Sequence, residues 1–394
     1  MYIKRELESV IKRGAKQVPV IAIVGPRQSG KSTLAKEIFK NHTYLDMQDA
    51  ELFEFATSDP KGFLNTYQKN EHGIILDEVQ YVPHLFGQIK VEADKNPKPG
   101  YFILSGSQNF LLHEKINESL AGRVYFYYLL PLSIGELEQA DLVFTKPEDQ
   151  IFKGFYPRVY QPQVDAYEYY KNYISTYVER DIRTIRNIDN ILIFQRFMQL
   201  CALRVGSTLN VTDIAGKCGI TDSTARSWLA LLETSFILFL LPSYHDNLGK
   251  RLTKSPKLYF YDCGLATALM GFTKETIIKD RVIYGALFEN MILVDLIKNF
   301  NVRGVRPSLS FLRDSNQNEI DLIIELGGKV IPLEIKASQT MSSSFFETLS
   351  WFQEETRNKQ EPVVVYSGAE NQTRSKGKVI SWRNLEKFVM SLAS

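Results

Sequence analysis

The stretch VIAIVGPRQSGKS, residues 20–32, decides the fold of the N-terminal third of the chain. It begins with the apolar run Val20 to Val24 and continues as a match to GxxxxGK[ST]. Glycines let backbone N–H groups curl around a phosphate, and the start of a helix adds partial positive charge there. A chance glycine turn is the weaker reading, because strand, loop and helix signals coincide. The stretch therefore predicts a nucleotide-binding P-loop.

Each residue of this loop is a candidate contact for ATP. The predicted nucleotide-binding residues are Gly25, Pro26, Arg27, Gln28, Ser29, Gly30, Lys31, Ser32 and Thr33. We expect Lys31 to reach the β- and γ-phosphate oxygens, which also makes it a candidate catalytic residue. We expect Ser32 to offer its hydroxyl to Mg²⁺.

A second apolar run, in GIILDE at residues 73–78, ends in two carboxylates. The carboxyl ends of parallel strands face the ligand, so we expect Asp77 to hold Mg²⁺ and Glu78 to polarise the attacking water. An acidic pair after a strand is ordinarily a solvated loop, but this pair follows a P-loop. After the next apolar run, Ser107 is expected near the γ-phosphate, and a plain polar turn explains it equally well.

The whole chain of 394 residues has room for two to four domains. Short apolar runs alternate with amphipathic stretches up to about residue 140, which predicts a parallel α/β sheet. Helical spacing dominates the middle, and an α/β pattern returns near the C-terminus. We therefore expect an α/β protein with domains at residues 1–140, 141–275 and 276–394.

The middle part has the pattern of a winged helix-turn-helix. Two helical stretches flank a glycine turn within residues 209–233, and two strand-like runs, at 236–241 and 257–261, flank a basic loop with Lys250, Arg251 and Lys254. Between Thr221 and Leu232 the second helix carries a single basic residue, Arg226, whereas base readout usually needs several polar or basic side chains. Sequence-specific DNA binding, nonspecific contact through the wing, and protein binding all remain open.

The third part contains a predicted hairpin, EIDLIIEL and KVIPLEIK around Gly327-Gly328, at residues 319–336. A register with Leu326 opposite Lys329 places Asp321 opposite Glu334. Like charges in such positions destabilise a sheet, so we expect a divalent cation between these two carboxylates, with Lys336 beyond it. The alternative is a solvated face that Lys336 neutralises alone.

Several short motifs together resemble one known family. They are REL at 5–7, GPRQSGKST at 25–33, LDEVQ at 76–80, SGS at 105–107 and AGR at 121–123. The chain resembles prokaryotic AAA+-type P-loop ATPases that carry a C-terminal domain of unknown function. The resemblance implies that Arg123 is an arginine finger acting on the ATP of a neighbouring subunit, in a homo-oligomer such as a hexamer. A surface helix cap is the alternative for Arg123.

The predicted hairpin resembles the core of PD-(D/E)xK nucleases, which have the restriction-endonuclease-like fold. The resemblance implies that Asp321 and Glu334 hold Mg²⁺, that Lys336 assists, and that Glu289 on the preceding helix is a further acidic residue of the site. Whether the domain cleaves stays open, because a fold can change its chemistry.

Composition limits the classes of partner. Lys plus Arg number 47 and Asp plus Glu 45, a surplus of +2 that gives no general attraction to nucleic acid. The three cysteines form no CxxC pair, which speaks against zinc and disulfides. The apolar runs are too short to cross a bilayer, so we expect a cytoplasmic protein without a membrane partner.

We therefore expect an oligomeric, Mg²⁺-dependent ATPase that couples ATP turnover to DNA handling through its winged-helix and nuclease-like domains. The alternative is an ATP-controlled scaffold for protein partners with an inert nuclease-like face. The near-neutral charge and the scarcity of basic residues in the second helix motivate the alternative.

Overall fold

The structure is a computed structural model that describes residues 2–107, 119–177, 190–244, 255–314 and 316–393. The chain forms two compact units, one of Met1–Leu132 with Thr234–Phe236 and one of Ser133–Glu233 with Ile237–Ser394. The division into three domains at residues 140 and 275 stays a prediction. None of the helices within the described ranges is long and apolar enough to cross a membrane.

The first unit is built on the parallel sheet that the sequence predicted. Its strands are β1 (Val20–Val24), β2 (Thr43–Asp46), β3 (Ile74–Asp77), β4 (Phe102–Gly106) and β5 (Val124–Tyr128), in the spatial order β2-β3-β4-β1-β5. All neighbouring strands run parallel. The helices are α1 (Leu7–Gly14), α2 (Lys31–Ile38), α3 (Ala50–Ser58), α4 (Pro60–Tyr67) and α5 (Leu85–Lys95).

Burial of the central strands explains why the apolar runs are continuous. Every residue of β1 is buried, and so is every residue of β3 and β4. Strands covered by helices on both faces need apolar side chains on both faces, which removes the usual alternation. Because β1, β3 and β4 run parallel, their carboxyl ends lie at the same edge of the sheet, and polar residues follow each strand there.

The second unit contains most of the helices. They are α6 (Ile134–Gln139), α7 (Pro147–Lys153), α8 (Ala166–Tyr177), α9 (Ile191–Ala202), α10 (Val211–Cys218), α11 (Asp222–Thr234), α12 (Cys263–Met270), α13 (Lys274–Lys279), α14 (Arg281–Val302), α15 (Glu347–Thr356) and α16 (Leu385–Ala393). The residues of the predicted helix-turn-helix form α10 and α11, and Gly219, which follows α10, has a left-handed φ of 68°.

Two sheets accompany these helices. An antiparallel pair consists of β6 (Leu238–Leu241) and β7 (Lys257–Phe260). The basic loop between them, with Lys250, Arg251 and Lys254, lies outside the described residues. A six-stranded mixed sheet consists of β8 (Ser308–Arg313), β9 (Glu319–Leu326), β10 (Lys329–Lys336), β11 (Val363–Tyr366), β12 (Gln372–Arg374) and β13 (Gly377–Ser381), in the order β12-β13-β11-β10-β9-β8. The winged-helix and nuclease-like assignments stay predictions.

The predicted register of the β9–β10 hairpin is confirmed from its turn to the pair of Leu322 and Leu333. Leu326 pairs with Lys329 and Leu322 with Leu333, as predicted. The antiparallel ladder between these strands ends at Leu322 and Leu333, one position before Asp321 and Glu334. The expected direct pairing of Asp321 with Glu334 is therefore not part of this ladder. Asp321 Oδ2 instead accepts a hydrogen bond of 2.8 Å from the backbone N–H of Ile335.

Candidate functional site

The predicted P-loop connects the buried strand β1 to helix α2. A Cβ at Gly25 would lie 2.2 Å from the carbonyl oxygen of Leu129, so only glycine fits this position. Gly30, directly before α2, has a left-handed φ of 96°. Pro26 is buried, Arg27 is half-buried, and Gln28 and Thr33 are exposed.

Lys31 points into the loop formed by its own neighbours. It is only 4% exposed, and its Nζ donates to the carbonyl oxygens of Gly25 and Pro26 at 3.0 and 2.8 Å. Burial lowers the pKa of Lys31 to about 8, and Glu78 and Asp77 act against this shift. The ammonium therefore lies inside the predicted P-loop, close enough to Asp77 and Glu78 for their charges to act on it.

Ser29 indicates that the loop fits an anionic ligand. Among the described atoms its buried hydroxyl has no hydrogen-bond partner. A buried hydroxyl without a partner costs about 1–3 kcal/mol, and a phosphate oxygen would supply the missing partner. The hydroxyl of Ser32 and the carboxylate of Asp77 are hard oxygen donors, the type that Mg²⁺ prefers.

Asp77 is held by hydrogen bonds from three directions. Its Oδ1 accepts from the Ser105 hydroxyl and, at 3.1 Å, from the backbone N–H of Glu78. Its Oδ2 accepts from the Tyr44 hydroxyl at 2.5 Å. Because β4 lies between β3 and β1, Ser105 in β4 lies beside the end of β3. The carboxylate of Asp77 thus has a fixed orientation at the edge of the sheet.

Glu78 follows Asp77 in an unusual backbone conformation. Its φ of 50° is left-handed, and such conformations cost on the order of 1–3 kcal/mol and concentrate at functional sites. Its Oε2 accepts from the Gln80 side-chain amide and, at 3.2 Å, from the Ser107 hydroxyl. The structure thus places Ser107 against the proposed catalytic carboxylate.

Two residues of this site had no assigned role from the sequence. Arg5 is buried, and its guanidinium donates to the carbonyl oxygens of Ser29 at 2.9 Å and Leu130 at 2.7 Å. These bonds connect the P-loop to the segment that follows β5. Tyr44 contacts Asp77, and burial together with this bond raises its pKa, while the Ser32 side chain acts in the opposite direction. The REL motif pointed to Arg5 without a mechanism, and nothing in the sequence pointed to Tyr44.

The structure places Arg123 at the opposite edge of the sheet from Lys31. The backbone N–H of Val20, at the start of β1, donates to the carbonyl oxygen of Arg123, whereas the P-loop follows the end of β1. The guanidinium forms a two-point ion pair with Asp94, with Nη2 3.0 Å from Oδ2. Its role as an arginine finger on a neighbouring subunit stays a prediction.

The second candidate site is a group of four carboxylates, Glu289, Glu319, Asp321 and Glu334, which we call the acid face. Asp321 and Glu334 are buried, and the Lys336 ammonium lies 2.5 Å from Glu334 Oε1 and 3.7 Å from Asp321 Oδ2. Burial, reinforced by the charge of Asp321, raises the pKa of Glu334. Lys336 is therefore positioned to neutralise this pair, on a buried face and not on a solvated one.

A second lysine enters the acid face from β7. Lys257 is 2% exposed, and its Nζ lies 3.2 Å from Glu289 Oε1 and 2.6 Å from Glu319 Oε1. The Tyr259 hydroxyl also donates to Glu289. Burial acts to lower the pKa of Lys257, but the carboxylates of Glu289, Asp321 and Glu319 outweigh burial and raise it. From the sequence, Lys257 was expected at the end of the basic loop and the start of a strand, with no link to these carboxylates.

The ammonium groups of Lys257 and Lys336 lie beside the carboxylates that were expected to hold a metal ion. Over the described ranges, no three or more His, Cys, Asp or Glu side chains are arranged to hold a metal ion. Each of the four carboxylates of the acid face lies near Lys257 or Lys336. Metal binding by Asp321 and Glu334, with Glu289, stays a prediction that has to compete with these ion pairs.

Three family models match successive parts of the chain. Residues 17–138 match a model described as an AAA domain. Residues 145–276 and 284–385 match two domains of unknown function, DUF8612 and DUF4143 respectively. The AAA-domain match and the parallel five-stranded sheet support nucleotide binding and an ATPase function for the N-terminal part.

Other proteins and solved structures are similar to this chain. Two uncharacterised proteins, from Mycobacterium bovis and Mycobacterium tuberculosis, are each 28% identical over 347 residues, covering 86% of this chain and 75% of theirs. The Walker-type ATPase of Pyrococcus abyssi is 16% identical with a TM-score of 0.47, covering 68% of this chain and 96% of its own. AMPPCP-bound DnaA of Aquifex aeolicus is 13% identical with a TM-score of 0.30, covering 59% and 89%. Structural similarities of this size say nothing about function.

Proposed function

We propose that the chain binds ATP with Mg²⁺ and hydrolyses it at the carboxyl edge of the N-terminal sheet. The observation that carries this proposal is the grouping of Lys31, Asp77 and Glu78. Lys31 is buried inside a glycine loop, and both carboxylates act on its pKa. The hydroxyls of Ser105 in β4 and of Ser107 after it donate to those carboxylates.

Each residue has a distinct proposed role. Lys31 binds the β- and γ-phosphate oxygens once it exchanges the carbonyls of Gly25 and Pro26 for them. Ser32 and Asp77 would hold Mg²⁺, which when bound neutralises charge on the phosphates. Glu78 orients the attacking water and accepts its proton, and Ser107 holds the Glu78 carboxylate in place.

Two variants test this assignment. Lys31→Ala should abolish binding of a fluorescent ATP analogue, because the buried positive charge is lost. Glu78→Gln should still bind ATP but turn it over at least about 100-fold more slowly, because the general base is removed. Glu71→Gln is the matched control, since the Glu71 side chain is 84% exposed. Wild-type turnover in both site variants would overturn the assignment.

We also propose that ATP turnover is coupled to DNA handling through the middle part of the chain. The supporting observation is the helix, glycine turn and helix of α10 and α11, followed by the β6–β7 pair. ATPase rates of size-resolved protein should rise when DNA is added at low salt, where phosphate contacts are strongest. An unchanged rate together with no gel shift would contradict the coupling.

The acid face favours a second candidate function, an ATP-controlled scaffold whose nuclease-like domain is inert. The supporting observation is that Lys257 and Lys336 already compensate its carboxylates. A scaffold of this kind should show no nicking of plasmid DNA with Mg²⁺ or Mn²⁺. Nicking by the wild type that disappears in Asp321→Ala and Lys336→Ala would contradict this candidate.

A further inference from the structure

We propose that Tyr44 is a positioning residue for the Mg²⁺ that accompanies ATP. Its hydroxyl holds the carboxylate of Asp77 and sets the affinity for the metal, while the affinity for nucleotide alone does not depend on it. The inference rests on the ATP site proposed above, and it assigns a role in metal binding to a residue outside the P-loop and outside the GIILDE stretch.

Strand order brings Tyr44 to Asp77. β2 and β3 are parallel neighbours in which Tyr44 lies opposite Ile75 and Asp46 opposite Asp77. Paired residues of neighbouring strands share a face, and side chains alternate along a strand, so Tyr44, Ile75 and Asp77 project on the same face of the sheet. From β2, the Tyr44 hydroxyl donates a hydrogen bond of 2.5 Å to Asp77 Oδ2 at the end of β3.

Helix α2 closes the other side of the phenol. The Lys36 ammonium lies 3.4 Å from the centroid of the Tyr44 ring, a cation–π contact. Ser32 is four residues before Lys36, so both side chains lie on one face of α2. The Ser32 side chain itself interacts with the phenol. Tyr44 therefore stands between the two residues proposed to hold the metal.

The hydrogen-bonding capacity of Asp77 explains why this contact matters. Oδ1 already accepts from Ser105 and from the Glu78 N–H, so Tyr44 is the partner that fixes Oδ2. A carboxylate oxygen has two acceptor positions, and Tyr44 leaves one for the metal or for a water bound to it. Loss of such an outer partner typically costs 10–100-fold in metal affinity.

The test removes one oxygen atom. Tyr44→Phe keeps the ring and its contact with Lys36 but cannot donate to Asp77. Binding of a fluorescent ATP analogue is followed by anisotropy, first in EDTA and then across a Mg²⁺ titration. We expect the affinity in EDTA to stay within about twofold of wild type, and the Mg²⁺ concentration at half-effect to rise about tenfold.

Two controls separate positioning from a structural effect. Tyr101→Phe removes a hydroxyl that donates to Gln68 and Asn70 carbonyls at 2.8 and 3.0 Å, near the start of β4 at the other end of the sheet, and it should leave the Mg²⁺ titration unchanged. In an Asp77→Asn background, Tyr44→Phe should add less than about twofold, because the two residues act as one unit.

The outcomes are distinct. A tenfold shift that disappears in the Asp77→Asn background supports the role of Tyr44. An unchanged or lowered Mg²⁺ requirement in Tyr44→Phe overturns it, as does an equal loss of affinity in EDTA, which would mean that the loop itself is disrupted. A wild-type protein that binds no nucleotide at all would instead overturn the proposed ATP site.

Discussion

The ammonium of Lys257 lies 2.6 Å from the carboxylate of Glu319, which joins the β6–β7 pair to the mixed C-terminal sheet. The same ammonium contacts Glu289 on α14, so one buried cation connects three elements. A buried ion pair is costly to form, but removing one partner is costlier because it leaves an uncompensated charge. Lys257 is therefore a sensitive position for the fold of the second unit.

Lys257→Met should strongly destabilise the protein. The variant leaves Glu289 and Glu319 without their ammonium partner, and breaking a buried pair typically costs about 3–5 kcal/mol. Urea unfolding followed by fluorescence measures the change as a lower midpoint. Lys378→Met is the control, because the pair between Lys378 and Glu361 is about half exposed and such pairs contribute about 1 kcal/mol or less. Equal midpoints for the two variants would contradict the prediction.

Gly25→Ala should disable the nucleotide site. The new methyl group would lie 2.2 Å from the carbonyl oxygen of Leu129, so the P-loop backbone has to shift. We expect binding of the fluorescent ATP analogue to weaken by at least about tenfold, since small displacements of positioning groups are costly. Gly87→Ala is the matched control. Gly87 is an exposed residue of α5 with open space around its Cβ position, so alanine should be neutral or stabilise by up to about 1 kcal/mol.

Asp295 should give the second unit a defined pH dependence. Its carboxylate accepts from the backbone N–H of Ile134 at 2.7 Å, and burial raises its pKa to about 6 from a model-peptide value of 3.8. Between these two values the folded state binds more protons than the unfolded state. The contribution of Asp295 to stability is therefore greatest below about pH 4, falls as the pH rises through about 6, and is constant above that.

The measurement is the difference in unfolding free energy between wild type and Asp295→Asn at several pH values. We expect wild type to lose up to about 3 kcal/mol relative to the variant between pH 4 and 7, because two pKa units correspond to roughly that amount. A difference that does not change with pH in this window would show that Asp295 does not titrate as proposed.

Arg123 should act only between subunits. Its guanidinium lies at the far edge of the sheet from Lys31, so it cannot serve the ATP site of its own chain in this arrangement. Lys31→Ala and Arg123→Ala should each lose most ATPase activity, and an equimolar mixture should regain part of it. Mixed assemblies would contain sites with an intact Lys31 from one chain and an intact Arg123 from the other. An inactive mixture, or full activity of Arg123→Ala alone, would exclude the arginine finger.

Local patterns predicted the first unit well. The apolar runs gave four of the strands and their parallel arrangement, because a strand buried on both faces must be apolar throughout. The P-loop was readable because its functional groups are contiguous in the chain. The start of the β9–β10 hairpin was readable as well, since a two-residue turn fixes the register of the residues next to it.

The predictions stopped where a contact is not set by a local pattern. The hairpin pattern did not show that the β9–β10 ladder ends at Leu322 and Leu333, one position before Asp321 and Glu334. Tyr44 could not be linked to Asp77, since no local pattern specifies that β2 lies beside β3. Lys257 could not be linked to the acid face either, since no local pattern specifies which elements lie beside β7.

The sequence by itself determined a P-loop followed by two carboxylates, an α/β architecture and a glycine-turned hairpin. Each of these depends on residues that are near one another in the chain. Only the tertiary structure decided that Tyr44 and Ser105 hold Asp77, that Arg123 lies at the opposite edge of the sheet from Lys31, and that two lysines enter the acid face. These contacts follow from strand order and burial, which arise when distant segments pack together.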